Sequence, residues 1–298
     1  MEARSSYQLD IRGPSAHLAG MPKSLPWVTF ALLSACTHAL PSPEASPHLP
    51  ASPEEAVQAY FRASDEGTSR VMRSAFHPDM LMHWADGEGT LRALTQLEWW
   101  QRLDAVEKTP TQAGSRRQTT LDREGSFALM EAVSHWPSHS FVDLLLAVDT
   151  PAGWRIVGKV FHRLAPGEEL PRFPSAEQEI RAVLEGKIRA HALYSPTLLF
   201  QTHTPDCRYY RANVEGVPFA WETLSMAASR YAAHEDAGHQ DPDSPWNILK
   251  VEVRGSVAAA KLDVTVRGVR YIDHLLLVRA GGQWRISAAS WGDPRPAP

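Results

Sequence analysis

An aspartate stands inside an otherwise apolar run of this sequence. Asp143 interrupts Phe141–Val148, in which the neighbouring side chains are aliphatic or aromatic. A carboxylate removed from water is costly unless it is paired, hydrogen-bonded or neutralised. The pattern therefore indicates one of two roles for Asp143, and both stay open here. It is either a structural carboxyl that fixes the sheet through hydrogen bonds or a pocket carboxyl that contacts a ligand.

The same pattern returns 130 residues later. Asp273 lies in VRYIDHLLLVRAGGQWRI as Asp143 lies in HSFVDLLLAVDTPAGWRI, and Trp284 repeats Trp154. Farther towards the N-terminus the spacing between matching residues drifts to 127 and then 123, as insertions in loops make it do. We interpret the chain as two copies of one domain, domain 1 over residues 53–164 and domain 2 over 175–293. Residues 165–174 form a linker rich in proline and charge.

Each copy predicts helices first and strands afterwards. Ser52 and Ser175 are each followed three residues later by Glu or Gln, the pattern of a capping box at a helix start. A third helix is predicted over 91–103 in domain 1 and 221–231 in domain 2, and alternating apolar runs then predict a strand meander. This order predicts an α+β fold in which the helices cover one face of a curved antiparallel sheet.

The N-terminal segment resembles a bacterial lipoprotein signal. In MPKSLPWVTFALLSAC, Lys23 precedes an apolar run too short to span a membrane, and a Leu-x-small-Cys box ends at Cys36. We interpret residues 1–36 as a mis-assigned start followed by this signal, with translation beginning at Met21, and residues 37–52 as a proline-rich tether. The expected location is the cell envelope, held to the membrane by a lipid on Cys36. Secretion without a lipid is the alternative.

Composition excludes several classes of function. The formal net charge is −4, with 30 Lys+Arg against 34 Asp+Glu and no basic block, so binding of nucleic acid is not expected. The two cysteines, Cys36 and Cys207, cannot form a disulfide framework or a zinc cluster. No glycine-rich phosphate loop and no Gly-x-Ser-x-Gly motif is present, and we expect no cofactor.

Two segments of domain 1 carry a resemblance to a known family. EEAVQAYFRASDEGTSRVMRSAFHPDMLMHW and FVDLLLAVDTPAGWRIVGK are similar to the nuclear transport factor 2-like superfamily, which includes SnoaL-like, lumazine-binding-like and ketosteroid-isomerase-like proteins. The resemblance covers both copies. It implies two cone-shaped domains, each with a pocket between its helices and the concave face of its sheet. It also implies that the domains pair through their sheets, so we expect an intramolecular pseudo-dimer.

The resemblance to ketosteroid isomerases implies a catalytic set that is incomplete in domain 1. Tyr60 and Asp143 match the two residues that hold the enolate oxygen, but Trp84 stands at the position of the base and cannot accept a proton. His83 and Asp86 lie close by in sequence. However, side chains alternate along a strand, so His83 should point away from Trp84.

The isomerase set is less complete in domain 2. Val183 replaces the tyrosine, Arg211 replaces the base, and Asp273 alone is kept. We therefore expect non-catalytic binding of a small apolar or planar ligand, or of a protein partner. The expected pocket residues are Tyr60, Trp84, Trp99, Asp143 and Asp273.

Two alternatives remain at this point. An isomerase, cyclase or dehydratase in domain 1 would use Tyr60 and Asp143 with His83 or Asp86 as base. A purely structural or assembly role is the second alternative. A metal site built from His83, Asp86 and a turn histidine is conceivable but not expected, because scattered histidines near turns are usually solvated.

Overall fold

A computed structural model describes residues 49–296, with the exception of residues 68, 106–113, 215, 237, 239 and 267. Cys36, the signal segment and most of the proline-rich tether lie outside the described residues. Within this described part, no helix is both long enough and apolar enough to cross a membrane.

Each domain consists of three helices and a six-stranded sheet. The elements of domain 1 are α1 (Pro53–Glu66), α2 (Ser69–Ala75), β1 (Phe76–Ala85), β2 (Leu91–Thr95), α3 (Gln96–Ala105), β3 (Ser115–Glu124), β4 (Phe127–Trp136), β5 (His139–Thr150) and β6 (Gly153–Leu164). Those of domain 2 are α4 (Ala176–Ala192), α5 (Pro196–Thr202), β7 (His203–Val214), β8 (Val217–Thr223), α6 (Leu224–Asp236), β9 (Trp246–Arg254), β10 (Val257–Val266), β11 (Val269–Ala280) and β12 (Gln283–Pro296).

The two sheets have the same strand order. It is β2-β1-β6-β5-β4-β3 in domain 1 and β8-β7-β12-β11-β10-β9 in domain 2. The predicted α+β class and the presence of two repeated domains are confirmed. One detail differs, because β1 pairs with β6 in parallel and β7 pairs with β12 in parallel, while the other pairs are antiparallel. No hairpin joins the strands of a parallel pair, so no turn forces them to run in opposite directions.

The predicted third helices begin later than expected. Leu91–Thr95 and Val217–Thr223 are strands that pair with β1 and β7. The spacing of Leu91 and Leu94 fits a helix as well as a strand, and pairing with the neighbouring strand decides in favour of the strand. Ser52 caps α1 by accepting a hydrogen bond from the amide of Glu55 at 3.1 Å. Ser175 does not cap α4 in this way, because its hydroxyl donates to a glutamate side chain of the same helix.

Strand β5 is apolar throughout because both of its faces are buried. Leu145 and Ala147 pack in the cluster that includes α1, whereas Leu144 and Leu146 pack against the sheet of domain 2. Asp143 shares a face with Leu145 and therefore points to the helical side of its own domain. A single strand thus serves the core of domain 1 and the contact with domain 2.

The two sheets pack against each other through equivalent residues. The cluster between them contains Leu144 and Leu146 from domain 1 and Leu276 from domain 2. A Cβ atom added to Gly158 would lie 2.8 Å from the Cβ atom of Ala288, which is the residue at the same position in domain 2. A residue that meets its own counterpart lies close to a pseudo-twofold axis. The domains are therefore related across this contact by approximate twofold symmetry.

Candidate functional site

Three buried polar side chains of domain 1 meet at one point. Oδ2 of Asp143 accepts a hydrogen bond from the Tyr60 hydroxyl at 2.8 Å and another from Nζ of Lys159 at 2.7 Å. Lys159 Nζ also donates to the Tyr60 oxygen at 2.6 Å. The side chains of Asp143 and Lys159 are 1% and 4% exposed. Asp143 is thus one member of a buried triad.

Three different elements bring this triad together. Tyr60 projects from the buried face of α1, Asp143 lies on β5, and Lys159 lies on the neighbouring strand β6. The strand register places Lys159 opposite Leu145, which is two residues beyond Asp143 on the same face. Long side chains reach such diagonal neighbours across a sheet. The sheet register therefore determines which cation reaches Asp143.

Burial sets the protonation behaviour of the triad. Burial raises the pKa of Tyr60 well above its usual range, and the neighbouring Asp143 raises it further. Burial lowers the pKa of the Lys159 ammonium, although Asp143 acts in the opposite direction. Tyr60 consequently remains a neutral hydroxyl that donates to Asp143. In the described part of the chain, no donor reaches the buried Oδ1 of Asp143.

A cavity of about 760 Å³ lies next to the triad. Lys159 forms part of its wall, with Nζ 4.5 Å from the ring centre of Tyr60, 5.6 Å from that of Trp99 and 5.4 Å from that of Phe161. Trp84 stacks on Phe161 at 5.2 Å. The wall is mainly aromatic and aliphatic; its other aromatic members are Phe61, Trp136, His139 and Phe141. An aromatic wall with one buried ammonium suits a planar ligand that carries an oxygen acceptor.

The structure brings together some of the predicted pocket residues of domain 1. Tyr60, Trp84 and Trp99 line the cavity. Asp143 lies behind Tyr60 and Lys159 and reaches the cavity only through them.

The two predicted alternative bases lie elsewhere. His83 is buried at the contact between the domains, where Nε2 lies 2.7 Å from Oδ1 of Asp206. Asp86 closes the β1–β2 turn, where it accepts hydrogen bonds from the amides of Glu88 and Thr90, and these contacts lower its pKa. The alternation of side chains along β1 carries His83 to the face opposite Trp84. Neither residue is placed to take a proton from a ligand in the cavity.

Domain 2 contains a second lysine–aspartate pair. Lys187 Nζ donates to Oδ2 of Asp273, and both side chains are 7% exposed. Asp273 lines a smaller cavity of about 300 Å³ together with Lys187, His191 and Arg230. Burial lowers the pKa of His191 to about 3, so its imidazole is neutral near pH 7.

Two residues of domain 2 stand where isomerases have catalytic residues, and both have packing roles. Val183 is at the tyrosine position and Arg211 is at the base position. The Arg211 guanidinium lies 5.8 Å from the ring centre of Trp291, at the position where domain 1 stacks Trp84 on Phe161. Val183 packs on the core of domain 2.

The lysine comes from a different element in each domain. Lys159 is on strand β6, and the equivalent residue of β12 is Ala289. Lys187 is on helix α4, and the equivalent residue of α1 is Ser64, one turn after Tyr60. Both domains thus retain a buried Lys–Asp pair although neither lysine position is shared.

Sequence reasoning missed both lysines, yet the sequence contains a signal for each. The chain has only six lysines among its 30 basic residues. Lys187 continues the apolar face formed by Ile180 and Leu184, where a cation is as unusual as Asp143 is in its strand. Lys159 follows the buried segment Ile156–Gly158.

Within the described ranges, no three metal-ligating side chains lie close enough together to hold an ion. The histidine–aspartate metal site considered from the sequence does not assemble there.

Two tandem α+β domains of one topology, each with a buried Lys–Asp pair beside a cavity, define the class of this protein. The family described as "Putative lumazine-binding" matches the chain twice, over residues 51–162 and 175–292. The chain belongs to this family, and the resemblance inferred from sequence is confirmed.

Similar solved structures each cover about two fifths of this chain. One is an NTF-2 like protein of unknown function from Silicibacter pomeroyi DSS-3, with 22% identity over 41% of this chain and 100% of that chain and a TM-score of 0.37. Another is an NTF2-like protein of unknown function from Shewanella baltica OS155, with 15% identity over 43% and 99% of the two chains and a TM-score of 0.38. A ketosteroid isomerase-like protein from Erwinia carotovora atroseptica SCRI1043 matches with 17% identity over 40% and 97% and a TM-score of 0.32. Among curated proteins no match is found.

Proposed function

We propose that domain 1 binds a small, planar and largely apolar molecule in the cavity beside Lys159, without turning it over. The observation that carries this proposal is the cavity itself, about 760 Å³ in volume and walled by aromatic rings. Cavities of this size and lining are typical of sites for small organic ligands.

The charges around the cavity narrow the class of ligand. Lys159, Arg102 and Arg116 line the cavity, and no carboxylate stands among the described lining residues. Arg116 is held by Asp65 and by the carbonyl of Phe61. The ligand should therefore carry a carbonyl or anionic oxygen that accepts a hydrogen bond from Lys159.

The placement of the acidic and basic groups supports binding over catalysis. His83 and Asp86 do not face the cavity, and Trp84 occupies the position from which related enzymes move a proton. Both aspartates are held by side chains rather than left for the ligand, through Tyr60 and Lys159 in domain 1 and through Lys187 in domain 2. The size of the domain 1 cavity also argues against a purely structural role.

Fluorescence titration with 8-anilinonaphthalene-1-sulfonate, a planar anionic probe, tests ligand binding. Trp84→Ala removes one aromatic wall and should weaken binding about 3- to 10-fold, the effect of losing one aromatic contact. The matched control is Trp246→Ala, because Trp246 is exposed on β9 and lies outside both cavities. Equal affinities for the two variants would argue against the cavity as the binding site. Native mass spectrometry of the purified chain would detect a natural ligand that copurifies.

We further propose that a lipid on Cys36 holds the protein in the cell envelope. The support is the sequence of residues 21–36 alone. Labelling of cells with an alkyne fatty acid should mark the wild-type protein and should fail for Cys36→Ser. Cys207→Ser is the control and should label normally, because Cys207 is buried in domain 2 and burial raises the pKa of its thiol. A mature protein that retains residues 1–20 would contradict the proposal.

A further inference from the structure

We propose that Lys159 is a nucleophilic amine that captures an aldehyde or ketone ligand as an imine in the domain 1 cavity. This proposal rests on the proposed binding of a planar ligand there. Lys159 Nζ lies in the cavity wall, 2.6 Å from the Tyr60 oxygen and 2.7 Å from Oδ2 of Asp143. An amine beside a hydroxyl and a carboxylate has the groups that imine formation requires.

The surroundings of Lys159 favour the reactive form of the amine. Burial lowers its pKa, although the Asp143 carboxylate acts in the opposite direction, and Lys159 lines the cavity, where a carbonyl group can reach its amine. Buried lysines in apolar pockets are activated as nucleophiles for this reason. The chain has only six lysines, and two of them stand beside the buried aspartates.

The reaction balances with the groups at the site. The ammonium of Lys159 gives one proton to Asp143, and the free amine adds to the carbonyl carbon to form a carbinolamine. The N–C bond forms in this addition, and the C–O bond breaks in the dehydration that follows. The oxygen leaves as water with one proton returned from the carboxyl and one from the amine nitrogen. The Tyr60 hydroxyl relays a proton between Asp143 and the departing oxygen. Lys–NH₃⁺ and a carbonyl thereby give a protonated imine and water, with no change of oxidation state.

Lys187 provides an internal comparison. It also pairs with an aspartate, but it stands in the cavity of about 300 Å³, less than half the volume of the domain 1 cavity. A bicyclic aldehyde therefore fits beside Lys159 more readily than beside Lys187. Lys250 lies on the sheet of domain 2, outside both cavities, and its partly exposed side chain makes it the comparison lysine of the same molecule.

The test treats the full chain with 2-naphthaldehyde and sodium cyanoborohydride, which reduces an imine to a stable amine. Intact-mass measurement and peptide mapping should show one adduct, on Lys159, formed at least tenfold faster than any adduct on Lys250. Tyr60→Phe keeps the amine and should slow the labelling of Lys159 at least tenfold. Labelling of Lys159 at the same rate as Lys250, or no effect of Tyr60→Phe, would overturn the proposal.

A second probe separates this proposal from ligand binding itself. 2-Naphthalenemethanol has the same ring system but no carbonyl group, and its binding is followed by quenching of tryptophan fluorescence. If the alcohol binds and the aldehyde does not label Lys159, imine capture is wrong and the binding function stands. If neither probe binds, the proposed function fails as well.

A different observation concerns the contact between the two domains. Glu131 of β4 pairs with Arg254 at the end of β9 across this contact, and with Arg117 of its own sheet at 2.9 Å. Lys261 of β10 pairs with Glu124 at the end of β3 at 2.7 Å and with Asp122 at 3.0 Å. Lys261 is the counterpart of Glu131, and Arg254 is the counterpart of Glu124, each 130 residues apart. The same contact therefore occurs twice, once on each side of the pseudo-twofold axis, and the acidic and basic residues change places between the two occurrences.

We infer that these four charges make each sheet specific for the other domain and unfavourable for a copy of itself. Two copies of domain 1 paired in the same geometry would place Glu131 against Glu124 twice. Two copies of domain 2 would place Lys261 against Arg254 twice. Glu131 is 3% exposed, so a like charge beside it would be poorly screened by water. The sheet of domain 1 thus fits a basic partner surface, and that of domain 2 fits an acidic one.

The double variant E124R/R254E tests this inference without changing the net charge of the full chain. Within one chain, both contacts of the double variant pair residues of like charge. Two identical domains from different chains would instead meet through residues of opposite charge. We expect a lower melting temperature and a concentration-dependent dimer in light-scattering chromatography. Adding E131K and K261E restores both contacts within the chain with reversed polarity, and should restore the mass and part of the melting temperature. Recovery is partial because Arg117 also pairs with Glu131, and Asp122 with Lys261. A double variant that behaves as the wild type, or a loss of folding that the quadruple variant does not rescue, would overturn the inference.

Discussion

Removal of the ammonium from the buried triad should strongly destabilise domain 1. In Lys159→Met the apolar stem is roughly kept, but Asp143 loses its cation while it remains 1% exposed. A buried charge that loses its partner typically costs 3–5 kcal/mol, about a third or more of the stability of an ordinary domain. We expect a loss of about 3–5 kcal/mol at pH 8.

Urea unfolding at pH 8, followed by tryptophan fluorescence, measures this loss. The control is Arg181→Met, which breaks the exposed ion pair with Glu177 on α4 and should cost less than about 1 kcal/mol. The double variant Asp143→Leu/Lys159→Met removes both charges and should recover much of the loss. If Lys159→Met costs no more than Arg181→Met, the ammonium of Lys159 does not stabilise the fold through its pairing with Asp143.

Three further outcomes are expected. Gly158→Val should destabilise the contact between the sheets by about 1–3 kcal/mol, because a Cβ atom there would lie 2.8 Å from Ala288; urea unfolding measures it. Burial lowers the pKa of His191 to about 3, so its stabilising contribution should be lost as pH falls from about 6.5 towards 3, at up to about 1.4 kcal/mol per pH unit. His191→Phe should flatten the dependence of unfolding free energy on pH in that window, and an unchanged slope would contradict the assignment. Ser52→Ala should cost about 1 kcal/mol by removing the cap of α1, as read from thermal melting, whereas Ser175→Ala should cost less because Ser175 does not cap α4.

The sequence predicted features that depend on local pattern. The 130-residue spacing of Asp143 and Asp273 identified the repeated domain, and the alternation along β1 correctly separated His83 from Trp84. The segment Leu91–Thr95 was assigned to a helix because five residues with two leucines fit either structure. The segment is a strand because it pairs with β1, and the apolar pattern of five residues contains no information about that partner.

The cations of the two sites depended on distances that the sequence does not give. Lys159 reaches Asp143 because β5 and β6 pair in one register, and a shift of one residue would turn Lys159 to the other face. Lys187 reaches Asp273 from a helix 86 residues away in sequence. The partner of His83 is likewise remote, since Asp206 belongs to the other domain. Such pairs can be identified only when the fold is known, because the fold determines the face of the sheet on which each side chain lies.

The meeting of Gly158 with Ala288 has a consequence for how this chain can evolve. In a dimer of identical subunits, a residue on the axis faces its own copy, so every substitution there is made twice. Gene fusion removes that coupling, and a glycine can face an alanine without a second change. The same independence allows Lys159 and Lys187 to stand on different elements although each domain has its buried aspartate. One half of the molecule can therefore change the lining of its cavity while the other half keeps its own.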